Sequence, residues 1–371
     1  MDELKLATIP VLSAGECIKT LSFMYKNVIN KGLQLHKTPS VMLWGPPGVG
    51  KSQSIRELAK NLELETYRKV NVIDVRLLLF NPIDLRGIPT ANEDKTLAVW
   101  LKPKIFQMDP SYNVVNILFL DEITAAPQSV QAAAYQITLD RTVGEHKLPD
   151  NCIVIAAGNR TTDKSVAYTM PKALANRLLH LEVEPNFNSW NQWAVRSGIN
   201  SKVLGFLKFK PNYLIETDIK SSTLAYATPR TWEMVSDVLN NVSSNIKDVY
   251  HLVCGLVGKG IAVEFRSWCS IYENLPNIED IFRGRSVEIP KRPDVIYALI
   301  SSMLTYAKLH KDDMDMMENS INYAMKLSPE FSTILLKDYL YIEKDYQKKL
   351  LRIPAFSRWL SSKGRLLDEL N

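Results

Sequence analysis

At 371 residues, with 46% of them hydrophobic and 23% charged, the chain has ordinary globular composition and is long enough for two or three domains with full cores. Its net charge of +5 is modest and spread along the chain, which permits an anionic partner but lacks the footprint of a nucleic-acid motor. No apolar run reaches the roughly 18 residues that cross a bilayer, the N-terminus lacks a basic region followed by an apolar block, and the four cysteines have no zinc spacing, so a cytoplasmic protein without membrane insertion is expected.

Ser13-Ala14-Gly15-Glu16 reads as a capping box, and Cys17, Leu21, Met24, Tyr25 and Val28 recur at helical spacing. Val41–Trp44 is a short buried strand that runs into a glycine-rich turn, and Lys51 to Leu62 is helical. Val70–Ile73 reads as a strand, Val114–Leu120 as an apolar strand ending in two acids, and Gln128–Leu139 as an Ala/Gln-rich helix. Ile153–Ala157 and Leu178–Val183 are further strands. Strands alternating with helices over 1–185 imply a parallel sheet with helices on both faces, and ligands bind at the carboxyl ends of such strands. From about 186 helical periodicity takes over, as in Trp232, Met234, Val235, Val238 and Leu239, giving a helical domain over 186–305. Residues 306–371 read as a helical C-terminal region carrying no motif. There Lys344–Lys349 is expected as a solvated helix face, and Asp312, Asp313 and Asp315 as surface.

The segment Gly45-Pro46-Pro47-Gly48-Val49-Gly50-Lys51-Ser52 matches G-x-x-x-x-G-K-S in full, with a strand before it and a helix behind it. Its glycines let backbone N–H groups turn inward around phosphate oxygens, Lys51 supplies a mobile charge for the β- and γ-phosphates, and the Ser52 hydroxyl suits magnesium. Gln53 follows on the same helix start. Asp121, at the end of an apolar strand, is placed to hold magnesium or its waters, and Glu122 to orient and deprotonate a water. Asn159, after Ile153–Gly158, is either a water-positioning group or a turn residue. Arg177 and Arg230 are candidates to stabilise transferring phosphate charge, against the common alternative of surface arginines.

In order, GPPGVGKS, ILFLDE, AAGN, ANR and TPR resemble the AAA+ ATPases, most nearly the MoxR-like branch, which is similar to magnesium-chelatase ATPase subunits and to the motor units of midasin and dynein. The resemblance covers roughly 10–300. It includes Asn81–Pro89, where these ATPases carry a hairpin inserted in the second core helix, here near 84–101, and Gly255–Gly260 with Glu264 and Phe265 in the lid region. It implies a P-loop αβα core over 1–185, an all-α lid over 186–305, and ATP with Mg2+ as cofactors. Gly45 to Gln53 would bind ATP, Ser52 and Asp121 would hold magnesium, and Lys51, Glu122 and Asn159 would serve hydrolysis. Arg177 would be the arginine finger reaching an adjacent subunit, and Arg230 would be sensor 2, in cis or in trans. It further implies a ring, usually a hexamer, and a protein client, with a von Willebrand factor A-type domain protein or a metal-cofactor enzyme as candidates. The hairpin at 84–101 faces the pore or a partner, or is a plain surface hairpin. Sensor 1 departs from the MoxR string, reading Ala157-Gly158-Asn159-Arg160, and Arg160 is either a ring-interface charge or a salt-bridged structural arginine. His146, in a second hairpin around 142–147, is expected at the surface. A nucleotide-gated scaffold is the alternative function, with a nucleic-acid-associated motor behind it.

Overall fold

The structure, a computed structural model, describes residues 9–160, 163, 168, 170, 172–216 and 224–362, with the side chains of 173 and 174 excepted. The chain divides into two compact units, Met1–Asn186 and Phe187–Asn371.

In chain order the first unit runs β1 (Val11–Ser13), α1 (Ala14–Asn30), β2 (Val41–Trp44), α2 (Lys51–Thr66), β3 (Lys69–Arg76), α3 (Pro82–Arg86), β4 (Ile88–Ala91), β5 (Ala98–Leu101), β6 (Val114–Asp121), α4 (Gln128–Asp140), β7 (Thr142–Val143), β8 (His146–Lys147), β9 (Cys152–Gly158), α5 (Lys172–Ala175) and β10 (Leu179–Glu184). Six strands form one parallel sheet in the order β1-β10-β2-β9-β6-β3. Alternate residues of the central strands feed two cores, as the two-residue period of a strand requires. Ile117, Phe119, Ile153, Ile155, Val41 and Leu43 pack with Leu21 and Tyr25 of α1 and Ile55 and Leu58 of α2. Leu118, Leu120, Val154, Ala156 and Met42 pack with Val130, Ala134 and Ile137 of α4. The expected parallel αβα core is therefore what these residues build. The capping box closes α1 as read: Glu16 N–H donates to Ser13 Oγ at 3.2 Å and Ser13 N–H to Glu16 Oε2 at 2.8 Å. The strand order sets the carboxyl ends of β2, β9 and β6 side by side, and the acids, Asn159 and the glycine loop all sit on those ends.

Two hairpins project from this sheet. β4 and β5 pair antiparallel, and Asn92 Oδ1 closes their turn by accepting from Thr96 and Leu97 N–H. Gly87 begins the hairpin at φ +94, where a Cβ would lie 2.0 Å from Leu101 O, so only glycine fits. The β7–β8 hairpin braces it, with a His146 ring nitrogen 2.7 Å from Trp100 O. His146 is thus half-buried rather than exposed, because it serves a neighbouring backbone.

The second unit is helical: α6 (Phe187–Ser197), α7 (Ser201–Phe209), α8 (Pro229–Asn241), α9 (Ile246–Val257), α10 (Lys259–Cys269), α11 (Ile278–Phe282), α12 (Pro293–Leu309), α13 (Met314–Ala324), α14 (Pro329–Tyr339), α15 (Gln347–Leu350) and α16 (Pro354–Ser361). One core runs from Trp190 to Leu360, so helices on either side of residue 305 share it. Phe206 is a hub, stacked on Tyr213 at 5.6 Å and meeting Trp232 and Phe265 at 5.5 and 5.3 Å. Residues 344–349 correct the expectation of a helix face. Residues 344–346 are a turn, with Asp345 at φ +61 and Tyr346 buried, and only 347–349 are helical, as the start of the short α15, where Lys349 donates to Asp312 and Glu343. The cysteines are free, and burial pushes the thiols of Cys17, Cys152 and Cys269 up to about 12, which leaves them inert. Among the described residues no helix is long and apolar enough to cross a membrane.

Candidate functional site: a phosphate loop and its acids

The loop is shaped by glycine. Gly45, Gly48 and Gly50 have φ of +150, +77 and +101, and a Cβ on Gly45 would lie 2.3 Å from Val183 O of β10. Val49 is buried in the core beneath, which anchors the loop, while Pro47 is exposed. Gly50 caps α2 without a side-chain bond, so the first-turn N–H groups of Lys51, Ser52 and Gln53 point to the loop's concave side with the positive end of the helix dipole behind them. Gln53 Nε2 donates to Glu57 Oε1 at 3.3 Å.

Lys51 is 8% exposed, and its ammonium donates to Gly45 O, Pro46 O and Asn159 Oδ1, three uncharged oxygens. A buried ammonium bonded to carbonyls and an amide is well suited to exchange them for phosphate oxygens. Ser52 Oγ donates to Asp121 Oδ2 at 2.8 Å, and the other carboxylate oxygen accepts from Glu122 N–H at 2.9 Å. Glu122 stands at φ +58, a conformation costing a non-glycine residue about 1–3 kcal/mol, which bends the chain sharply where β6 ends. The structure thus brings Lys51, Ser52, Asp121, Glu122 and Asn159 to the same carboxyl edge.

Thr124 is a neighbour of Asn159 that sequence reasoning missed. It is 1% exposed, its Oγ1 accepts from Asn159 N–H at 3.0 Å, and the same hydroxyl lies 3.2 Å from Asn159 O. Gly158 makes room, since a Cβ there would lie 2.6 Å from Thr124 Cγ2. Gln131 of α4 holds the Thr124 carbonyl from behind. Thr124→Val keeps the shape and removes the hydroxyl. Turnover should fall about tenfold or more while nucleotide affinity changes little, because a displaced Asn159 misplaces water rather than phosphate. Steady-state hydrolysis beside a nucleotide titration checks this, and an unchanged rate would remove Thr124 from the site.

Residues 40–180 match the model of the ATPase family associated with various cellular activities, AAA. That segment is similar to AAA-family ATPase modules. No curated protein matches the chain. Among solved structures it is similar to a putative ATPase from Cytophaga hutchinsonii, with 14% identity over 85% of this chain and 88% of that one at a TM-score of 0.32. It is also similar to PCH-2 of C. elegans, with 13% identity over 80% and 68% at 0.32, and to a RuvB mutant of Thermotoga maritima, with 16% identity over 80% and 84% at 0.34. Scores this low carry no argument about activity.

Further groups surround the acids at the end of β6. Asp74, Arg76 and Arg56 cluster with Asp121, and Arg76 is Asp121's register partner across β3–β6. Burial, then the charge of Asp121, raises the Asp74 carboxyl, while Arg76 and Arg56 oppose the rise. Arg160 turns out to be salt-bridged: its guanidinium pairs with Asp163 at 2.8 Å and with buried Glu182 of β10. Its charge is consumed within the fold, which fixes the backbone after Asn159. Arg177 is exposed in the turn that follows α5. Arg230 belongs to the second unit, exposed on the first turn of α8, where Thr228 and Thr231 form the cap and Trp232 enters the aromatic core. Glu264 and Phe265 prove structural, Glu264 bonding Lys210 and Tyr213 and Phe265 lying in that core.

Magnesium fits this chemistry. A serine hydroxyl and one carboxylate touch beneath the phosphate loop, and sites that bind magnesium together with phosphates use one or two carboxylates. Among the described residues no cluster of three or more His, Cys, Asp or Glu offers a competing metal cage.

Proposed function

We propose that the chain hydrolyses ATP with water in a ring of identical subunits, six being the expected number, and spends the cycle on remodelling a protein partner. The observation that carries the reading is the convergence of Lys51, the Ser52–Asp121 pair, Glu122 and Asn159 on one sheet edge. Lys51 leaves the carbonyls of Gly45 and Pro46 for the β- and γ-phosphates, and the N–H groups at the start of α2 hold the remaining oxygens. Ser52 and Asp121 would hold magnesium, which would supply positive charge to offset that of the phosphates. Glu122 takes the proton of the attacking water, and Asn159, fixed by Thr124, orients it. Arg177 completes the site of the neighbouring subunit, and Arg230 acts as sensor 2.

The client is a protein, in the MoxR-like manner, with a von Willebrand factor A-type domain or a metal-cofactor enzyme as the expected target. Exposed Ile88, Leu97 and Leu101 on the β4–β5 hairpin support a protein contact. Free, buried thiols support a cytoplasmic setting. In the test, the rate per subunit should rise with protein concentration as rings assemble. Arg177→Ala should lose about 10³-fold or more in turnover while still binding nucleotide. A rate independent of concentration and of Arg177 would refute the shared site.

A further inference from the structure

His180 makes two hydrogen bonds that join distant parts of the first unit. Its Nδ1 lies 2.9 Å from Trp44 Nε1, with the two rings stacked at 6.0 Å, and its Nε2 lies 2.7 Å from Ala175 O. The proton positions follow from the partners. An indole N–H can only donate, so Nδ1 carries a lone pair; a carbonyl can only accept, so Nε2 carries the hydrogen. The ring is therefore held as one neutral tautomer with both polar atoms in use.

Both ends of this bridge lead to functional segments. Trp44 is the last residue of β2 and is bonded to Gly45, whose carbonyl accepts from Lys51. Gly45 is packed closely on Val183 of β10, where an added Cβ would lie 2.3 Å from Val183 O. At the other end, Ala175 O also accepts from Leu178 N–H at 3.3 Å. That bond closes the turn Ala175 to Leu178, in which Arg177 sits. Glu182, two residues beyond His180 on the same strand, holds Arg160 beside Asn159. Strand β10 thus reaches the segments of the loop, of Asn159 and of Arg177.

We propose that His180 is a positioning residue that couples a subunit's own phosphate loop to the Arg177 it offers its neighbour. This rests on Arg177 acting in trans, as read above. The two-state element is Lys51. Its ammonium donates to the carbonyls of Gly45 and Pro46, and a triphosphate would compete with them for it. The loop entry then settles differently, the Trp44 indole follows, and His180 passes the change to the turn bearing Arg177. Each subunit's nucleotide state so sets the finger presented next door.

The test is complementation between full-length variants. Arg177→Ala subunits keep a working site but offer no finger; Glu122→Gln subunits offer a finger but cannot turn over. Mixed, they should hydrolyse ATP faster than either alone. His180→Phe keeps the stacking ring and removes both hydrogen bonds. Placed on the Glu122→Gln subunit, it should cut the recovered rate by about ten- to a hundredfold, the scale of a misplaced catalytic group. Placed on the Arg177→Ala subunit, it should have a clearly smaller effect. Trp44→Phe on the Glu122→Gln subunit should reproduce the loss, and adding it to His180→Phe should cost little more, because both cut one path. It also stands in if His180→Phe does not fold. A merely structural histidine would lower nucleotide binding in its own subunit and show no preference for the finger donor, which overturns the proposal. If the unmodified mixture recovers no activity, Arg177 does not act in trans, and that reading falls together with the relay. Recovery unaffected by His180→Phe and Trp44→Phe overturns the relay alone.

Discussion

Glu122→Gln should leave ATP bound and lower turnover by about 10²–10⁴-fold, the range for loss of a general base. The argument rests on position. β6 is buried along its length and delivers two carboxylates at its exit. The first is occupied, since both oxygens of Asp121 are engaged, one by the Ser52 hydroxyl and one by Glu122 N–H. Asp121 is thus tied to the phosphate loop through Ser52 and to the strand exit. Glu122, held at φ +58, turns the chain off the strand direction, and on the proposed reading it is the carboxylate that meets the water. Glutamine keeps its length and its hydrogen-bonding reach but cannot accept a proton at neutral pH. Phosphate release measured beside the binding of a fluorescent nucleotide separates the two effects. Full turnover in the glutamine variant would reassign the base, with Asp74 the next carboxylate to test, because it already shares the neighbourhood of Asp121.

The phosphate loop, the acids and the strand–helix alternation were legible in the sequence because each depends on neighbours in the chain. A buried strand must be apolar on both faces, a tight anion-binding turn must be glycine-rich, and a strand that ends in Asp-Glu announces itself locally. What was not legible depends on register or on packing between distant segments. Thr124 looks like any threonine after a strand; its bonds to Asn159 exist because β6 and β9 are adjacent and in phase. Arg76 faces Asp121 through the β3–β6 register alone. Arg160 was open between two roles until Glu182, on a strand that pairs elsewhere in the sheet, came within reach. His180 carried no spacing signal because its partners lie 136 and 5 residues away. At 344–349 the charge run promised a helix face, but the helix begins only at Gln347, because the turn 344–346 carries Tyr346 into the core, while Lys349 on that helix pairs with Asp312 and Glu343.

The second large effect is expected in the helical unit. Lys208 on α7 and Asp338 on α14 form an ion pair whose side chains are each 3% exposed, and Asn191 of α6 donates to the other carboxylate oxygen at 2.7 Å. Burying two charges costs several kcal/mol apiece, and their mutual contact is the main offset, with the Asn191 hydrogen bond beside it. Lys208→Met removes that contact and strands a buried carboxylate, so it should destabilise the unit by about 3–5 kcal/mol. Adding Asp338→Leu removes the stranded charge as well. The double variant should then be more stable than Lys208→Met alone, short of the parent because Asn191 is left with an unmet donor. Urea unfolding followed by tryptophan fluorescence reads this unit well, since Trp190, Trp193, Trp232, Trp268 and Trp359 all belong to it. A single-variant cost under about 1 kcal/mol would mean that the pair is hydrated in solution. The consequence reaches the site residues. α7 also supplies Phe206, against which Trp232 packs, and Trp232 lies on the same helix as Arg230. Helices beyond residue 305 thereby help fix the helix that presents Arg230, and loosening the Lys208–Asp338 tie should weaken any contribution of that arginine before the phosphate loop is affected at all.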